Sequence, residues 1–542
     1  MTRDLAALAS RPFDLIVIGG GIYGICAARE AARRGLAVCL VERGDFVGET
    51  SSNSLRIIHG GLRYLQHGDL RRMRESIGER RLLQHLAPAL VRPLPCVMPT
   101  YGHGLMGKEA LRIALALNDL VGFDRNAGLD PDRRLPRGRV IGRGELLDIA
   151  PAVLRAGLTG GAIWYDCQAT STERLAFAFL RSAADAGATC ANYVEVTGFL
   201  QAAGRITGVR VSDRLGDGAF EIRGRAVLNA AGPWVDDVLA RLTGGTAPRQ
   251  FVASKAFNLL VRRQLFPRYA VGLAGRGSVR DESAIVQKGS QLFFVVPWRG
   301  RSIIGTRHVR WAGTGDAAIP EGEIEAFLGD INRAYPDARL ALDDVLAVYS
   351  GLLPETGAHA GPTVQLLKHP AFRDHAADGW AGLYSMVGVK WTTARHVASR
   401  TIDRIATGSG WKIAPGPGET APLPGAASDE EGNARRAYGA GDPALTRPIA
   451  PGTAVTAAEV VHGMREEMAQ RLTDVVLRRT DLAADGHPGT RVLEACADVM
   501  GAELGWSPAR RRSELELAED TLRRRHSRPG SAPVLATGAL TA

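Results

Sequence analysis

The stretch Phe13-Asp14-Leu15-Ile16-Val17-Ile18-Gly19-Gly20-Gly21-Ile22-Tyr23-Gly24, answered by Glu42, decides the fold of this chain. An apolar run of the length of a buried parallel strand ends in Gly-x-Gly-x-x-Gly and flows into residues 25–34, which predict a helix closed by Gly35. Residues 36–41 predict a second strand that delivers Glu42. Gly19 permits the tight turn, Gly21 lets a pyrophosphate approach the backbone, and Gly24 lets helix and strand pack closely. Free N–H groups at the helix start suit phosphates, and Glu42 suits ribose hydroxyls. An ordinary strand–turn–helix needs no acid at the end of its second strand. The full set therefore predicts dinucleotide binding, with FAD and a nicotinamide cofactor both open at this point.

Residues 48–65 are rich in hydroxyls and glycines and then carry His59 and Arg63. Such a loop can run along a cofactor and bond it from small side chains and bare backbone. Ser51-Ser52 followed by Ile58-His59-Gly60-Gly61-Leu62-Arg63-Tyr64-Leu65 resembles the signature of FAD-dependent glycerol-3-phosphate dehydrogenases and the related oxidases. Asn229-Ala230-Ala231-Gly232-Pro233-Trp234-Val235 resembles that family's second FAD-contacting turn. Phe293-Phe294-Val295-Val296-Pro297-Trp298 and Ser302-Ile303-Ile304-Gly305-Thr306 resemble strands of its substrate domain. Residues 349–354, Gly388-Val389-Lys390-Trp391-Thr392-Thr393-Ala394-Arg395 and a C-terminal helical stretch with 466–468 and 472–480 follow in family order, so the likeness spans about residues 12–520.

The resemblance implies FAD as cofactor. It places Gly19, Gly21, Gly24, Glu42, Ser51, Ser52, Gly60, Gly61, Ala231, Gly232, Trp234, Gly388, Lys390, Trp391 and Thr392 against it, with the strand backbone at Val196 meeting the adenine. It implies oxidation of sn-glycerol 3-phosphate to dihydroxyacetone phosphate, a hydride passing from carbon to flavin N5, and reoxidation by quinone or oxygen. Arg63 and Lys390 match the cations that the family places by its small anionic substrate, with Tyr64 beside them.

Departures from the family pattern fall at the substrate. The family's phosphate-clamping arginine is Leu353 here, and a candidate catalytic histidine is Asn258. A Gly-Thr-Thr-Asp stretch has become Gly305-Thr306-Arg307-His308. Truncating one partner of a buried charged pair costs about 2–5 kcal/mol, roughly 30- to several-thousand-fold in affinity. Either Arg307 supplies the missing charge from a neighbouring strand, or the substrate lacks that phosphate. A base must take the hydroxyl proton; His59 and His308 are the candidates, each with a structural alternative. Three readings follow: a glycerol-3-phosphate dehydrogenase with a rearranged clamp, a flavin oxidoreductase on the same scaffold for another hydroxy or amine substrate, and a flavin-binding protein without catalysis.

Composition agrees with a folded enzyme. The 542 residues suffice for two or three domains, and 45% apolar with 23% charged residues is ordinary for a globular chain. The net charge of +10 suits an anionic substrate or membrane surface, but it is dispersed, and no helix-turn-helix, zinc-finger or RNA-binding signature accompanies it. Nucleic acid is not an expected partner, and no metal site is indicated. Six scattered cysteines without Cys-x-x-Cys fit a reducing compartment. With no signal peptide and no apolar run of eighteen, the expectation is a cytoplasmic protein, with peripheral membrane contact and a homodimer both open.

The predicted fold is α/β plus α: a Rossmann-like FAD-binding domain interleaved with a mixed-sheet substrate domain, followed by a helical domain. Residues 12–65, 140–240 and 351–408 are expected in the first, 66–139 and 241–350 in the second. Residues 412–455 read as a Pro/Gly/Ala-rich linker, 456–525 as the helical domain and 526–542 as a disordered tail. Within this frame 66–125 read mainly as helix, including an amphipathic helix around 71–83 and an apolar one at 111–121 expected in the core rather than in lipid. Residues 173–186 read as a helix capped by Ser171 or Thr172, and 245–350 as strands.

Overall fold

The computed structural model describes residues 1–542 except 105–106, 246–250, 276–291, 312–317, 356–363, 365, 417, 420, 429–437, 439–440 and 526–542, with Gln66 described by its backbone alone. The expected disordered tail lies outside the described residues. One sheet has Phe13–Ile18 at its centre, parallel to Val38–Val41 on one side and to Ala219–Asn229 on the other. Thr189–Ala191 extends it beyond Val38–Val41, and Leu383–Val387 with antiparallel Ala371–Asp374 extends it beyond Ala219–Asn229. The antiparallel pair Val194–Ala202 and Arg205–Asp213 branches from Ala219–Asn229.

Side chains explain the parallel order. Leu15, Ile16 and Val17 are fully buried, because both sheet faces are covered and no alternation with water is needed. Helix Ile22–Arg33 packs on one face beside Thr172–Asp185 and Ala394–Ser409. It stops where expected: Gly35 has φ of +84° and donates to Ala32. Ser171 alone caps Thr172–Asp185, by accepting from the Arg174 N–H; Thr172 is already its first helical residue.

The second sheet is mixed and almost wholly antiparallel. Its order is Val345–Glu355, Val252–Val261, Arg301–Arg310, Leu292–Trp298, Ala270–Ala274, Val91–Tyr101, Leu158–Ala169 and Ile57–Ile58, with Arg139–Gly142 also on Leu158–Ala169. Three expectations are corrected here. The strand Val91–Tyr101 interrupts the region read as helical, its three prolines being tolerated in an extended chain. Helix Glu321–Ala334 interrupts the region read as strands, burying Ile324, Phe327 and Ile331 at helical spacing against that sheet. Residues 140–142 and Leu158–Ala169, expected with the nucleotide domain, pair in the second sheet.

Helix Lys108–Val121 is a fourth correction. Only Leu115 is buried, while Ile113 and Leu120 are 71% and 69% exposed and Phe123 follows at 79%. Apolar composition predicted core, but the helix lies on the surface.

The C-terminal helices Ala457–Glu467, Thr490–Leu504 and Pro508–Arg524 enclose their own apolar cluster. Thr456 and Glu459 form a capping box at the first. Leu472–Asp474 continues into a wide turn over Val475–Arg479 that delivers two arginines to the nucleotide domain. There Arg479 donates to both oxygens of buried Asp45, at 2.6 and 2.7 Å, and Arg478 adds 2.5 Å.

Candidate active site

A cavity of about 980 Å³ opens between the two sheets. Ligand pockets run from roughly 300 to 1,000 Å³, so this one is at the large end. From the nucleotide sheet come Gly19, Gly21, Glu42, Val196, Ala231, Gly232 and Trp234; from the second sheet and its loops come His59, Tyr64, Asn258, His308 and Leu353.

Gly19 has φ of +106°, and a Cβ there would lie 2.7 Å from the Ala230 carbonyl oxygen. Gly21 starts the helix without a side-chain cap, while Ser51 Oγ accepts from the Ile22 N–H at 3.0 Å. At Gly24 a Cβ would lie 1.9 Å from the Gly19 oxygen, so this glycine works in the strand–helix contact and not on the cavity. The Glu42 carboxylate accepts from the N–H groups of Gly20 (2.7 Å) and Gly44 (2.8 Å), and burial raises its pKa. Arg43 lies over the Trp234 ring, 4.8 Å from its centroid.

Lys390 is held by its backbone. The Tyr23 hydroxyl donates to the Lys390 carbonyl at 2.8 Å and accepts from its N–H at 3.1 Å. Gly388 leaves room for that ring, since a Cβ would come within 1.9 Å of it. Lys390 Nζ bonds the Tyr64 hydroxyl and lies 3.9 Å from the ring centroid. Burial, with Arg72 and Arg63 nearby, lowers the Lys390 pKa to about 7. Arg63, exposed on the cavity, and Arg72 therefore share one positive field with it. Trp391 Nε1 donates to the Ser51 carbonyl at 3.1 Å, and Thr392 and Gly61 also line the space.

Both histidines reach the cavity. His59 meets Tyr64 edge-on at 6.1 Å, and burial, then Lys390, lowers its pKa to about 4. His308 is likewise lowered to about 4 by burial, with Arg63 adding to it. Both imidazoles are neutral at pH 7. Asn258 Oδ1 accepts from the Thr306 hydroxyl at 2.8 Å.

Besides Gly24, three expected ligands lie elsewhere. Arg307 bonds Asp330 at 2.6 Å and lies over Phe327, on the opposite face of its strand, so it does not replace the charge missing at Leu353. The Ser52 hydroxyl donates to the Glu49 carbonyl, buried behind the loop. The Gly60 N–H donates to Asp166 at 2.6 Å, and a Cβ there would meet Arg80 at 2.3 Å; it supports the wall from behind.

Comparison with known proteins places this geometry. Residues 14–404 match the FAD dependent oxidoreductase family model, and 433–511 match the C-terminal domain of alpha-glycerophosphate oxidase. The chain is 32% identical over 544 residues to a glycerol-3-phosphate dehydrogenase of Synechocystis, covering 93% of this chain and 95% of that one. It is 31% identical to glycerol-3-phosphate dehydrogenase 2 of Mycobacterium tuberculosis, covering 93% and 86%. The chain belongs to the FAD-dependent glycerol-3-phosphate dehydrogenase family. In fold it resembles the Bacillus halodurans glycerol-3-phosphate dehydrogenase complexed with FAD, at TM-score 0.70 and 22% identity over 96% of each chain.

The residues of this dehydrogenase-family chain fit FAD. The helix start at Gly21, which has no side chain of its own to cap it, the close approach enforced at Gly19 and the buried acid Glu42 are what a dinucleotide needs, on a cavity large enough to hold it. The protein is an FAD-dependent oxidoreductase.

Other wall residues escaped the sequence reading. Asp166 lines the cavity while accepting from Gly60, Arg80 (2.7 Å) and Trp164 (3.0 Å), and Arg72 reaches it from an amphipathic helix. A carboxylate in a long strand and one arginine among many carry no local pattern. Tyr23 had a signal: an aromatic between the motif glycines must face something, and it faces Lys390.

Proposed function

We propose that this chain oxidises sn-glycerol 3-phosphate to dihydroxyacetone phosphate, the CH–OH chemistry of its family. The observation that carries the reading is the cluster of Arg63, Arg72 and Lys390 on the same cavity as the glycine turn and Glu42. These cations suit a small dianion; burial first, and then the charges of Arg72 and Arg63, depress the Lys390 pKa, and a bound anion would relieve the second of these. FAD, when bound, supplies the two-electron acceptor that takes the hydride. The chain's own part is to seat the anion, to accept the hydroxyl proton on a neutral imidazole, and to keep the reacting carbon out of water. His59 and His308 are the two neutral imidazoles available for that proton.

Leu353 and Asn258 support a second reading, an anionic alcohol or amine other than glycerol phosphate. Both line the cavity at places where the family pattern has charge or a base, and Arg307 does not compensate. Anaerobic addition of sn-glycerol 3-phosphate to the purified flavoprotein separates the two. Bleaching of the flavin absorbance supports the first; a flavin reduced by dithionite but not by this substrate supports the second.

The acceptor of the reducing equivalents is quinone or oxygen, and the exposed apolar edge Ile113, Leu117, Leu120 and Phe123 supports peripheral membrane contact. Among the described residues no helix is long and apolar enough to cross a membrane.

A further inference from the structure

His308 lines the cavity with its two ring nitrogens in different surroundings. Nδ1 is buried and has no hydrogen-bond partner, so Nε2 is the accessible nitrogen. Among the described residues nothing accepts a proton from Nδ1 and nothing donates one to it. A buried N–H without an acceptor is rarer in folded proteins than a bare acceptor. The resting imidazole therefore carries its proton on Nε2 and shows the cavity a donor.

A proton acceptor needs the opposite arrangement. Nδ1 is out of a substrate's reach. Nε2 could take a proton only if the ring's own moved to Nδ1, where it would be orphaned. An imidazole that works as a base has an orienting partner on its far nitrogen. His59 is better placed: burial and Lys390 oppose its charged form, but Asp166 and a hydrogen bond to its own backbone favour it. Asp166 also holds the following residue, accepting from the Gly60 N–H at 2.6 Å.

The surroundings of His308 suit an anion instead. Burial disfavours a charged imidazole there, and the charge of Arg63, exposed on the same cavity, adds to this. A neutral N–H beside a guanidinium offers an anion a second donor without a second positive charge for Arg63 to repel. The sheet gives the position. Ala256 pairs with His308 on one side and with Gly351, two residues before Leu353, on the other. Those outer strands lie two spacings apart, roughly 10 Å, so His308 does not fill the place of Leu353 but lies across the sheet from it.

We propose that His308 is a substrate-binding residue and not the proton acceptor: its Nε2–H donates to the anionic group that Arg63 holds, and His59 is left for the hydroxyl proton. The anion subsite is thus set by Arg63 and His308, on the opposite side of Ala256 from Leu353. This rests on the reading of the cavity as the oxidation site of an anionic substrate.

The test uses the FAD-loaded full chain with His308→Gln, which keeps a donor but takes no proton, and His308→Leu, which does neither. Anaerobic flavin reduction by sn-glycerol 3-phosphate is followed across substrate concentrations, beside FAD content, to give a half-saturating concentration and a limiting rate. H308L is expected to raise the half-saturating concentration about ten- to hundredfold, the scale of a hydrogen bond to a charged group, with the limiting rate within about threefold of wild type. H308Q is expected to recover most of that affinity at the wild-type limiting rate. A limiting rate that falls about a hundredfold or more in both variants, the scale of a lost general base, would make His308 the proton acceptor and overturn the proposal. So would an unchanged half-saturating concentration in H308L, or an H308Q no better than H308L. If H308L does not fold, H308Q decides alone: near-wild-type kinetics support donation, and a collapse of either constant overturns it. If the wild type itself is not reduced by this substrate, the functional reading fails first, and calorimetric binding of inorganic phosphate decides. H308L must then weaken phosphate binding about tenfold; equal affinity in the two proteins, or no binding by the wild type, overturns the donor role.

Discussion

Lys390 and Tyr64 lock together in the cavity wall, the ammonium bonding the phenol oxygen and lying 3.9 Å from its ring centroid. The lysine is thereby aimed across a space it shares with Arg63, and its titration falls near neutrality. Below about pH 7 it is charged and attracts an anion; above that it is neutral and does not. The KM for an anionic substrate is therefore expected to rise with pH above 7 in the wild type. In Lys390→Met it should start higher and lose that rise. Steady-state kinetics from pH 6 to 9 with an artificial electron acceptor measure both.

Leu353 can be returned to a cation. If sn-glycerol 3-phosphate is the substrate, Leu353→Arg adds a charge-assisted pair on the cavity wall and should lower its KM about tenfold or more. For an unphosphorylated substrate the same change should raise KM. Comparing glycerol phosphate with glycerol on the two proteins gives the sign.

The glycine turn sets cofactor retention. Gly19→Ala places a Cβ 2.7 Å from the Ala230 oxygen at a φ of +106°, costing roughly 1–3 kcal/mol in backbone strain alone. The purified variant is expected to carry much less FAD, as read from the ratio of 450 to 280 nm absorbance, about a flavin band and a protein band.

Asp45 joins the cofactor loop to the C-terminal domain. Burial would raise its pKa, but Arg479 and Arg478 together hold it well below the usual carboxylate range. Because the folded value is depressed, this contribution is present above the ordinary aspartate pKa and is lost as pH falls below it. Arg479→Ala leaves Asp45 with one arginine and should cost about 3–5 kcal/mol. Faster hydrogen exchange across residues 42–48 is the expected signature.

The apolar edge of Lys108–Val121 has a simple test. Ile113→Ser with Phe123→Ser should reduce cosedimentation with anionic vesicles severalfold and leave flavin reduction in solution intact. Equal sedimentation of both proteins would remove the membrane reading.

The sequence alone determined the nucleotide unit, because its parts are consecutive. A strand, a glycine turn, a helix and an acid lie within thirty residues of one another, at about the scale of a single βαβ unit, and their spacing leaves one way to fold. The family motifs likewise located Lys390 and Arg63. Tertiary structure alone decided which neighbours face the cavity. Thr306 and His308 line it while Arg307, between them, turns to Asp330. Successive residues of a strand point to opposite faces, and which face is which depends on pairing with distant strands. Helix Lys108–Val121 shows the same limit. An apolar stripe demands cover, but composition does not say whether protein provides it. The contact between Arg525 and Asn53 spans 472 positions, and nothing local in the sequence could have announced it.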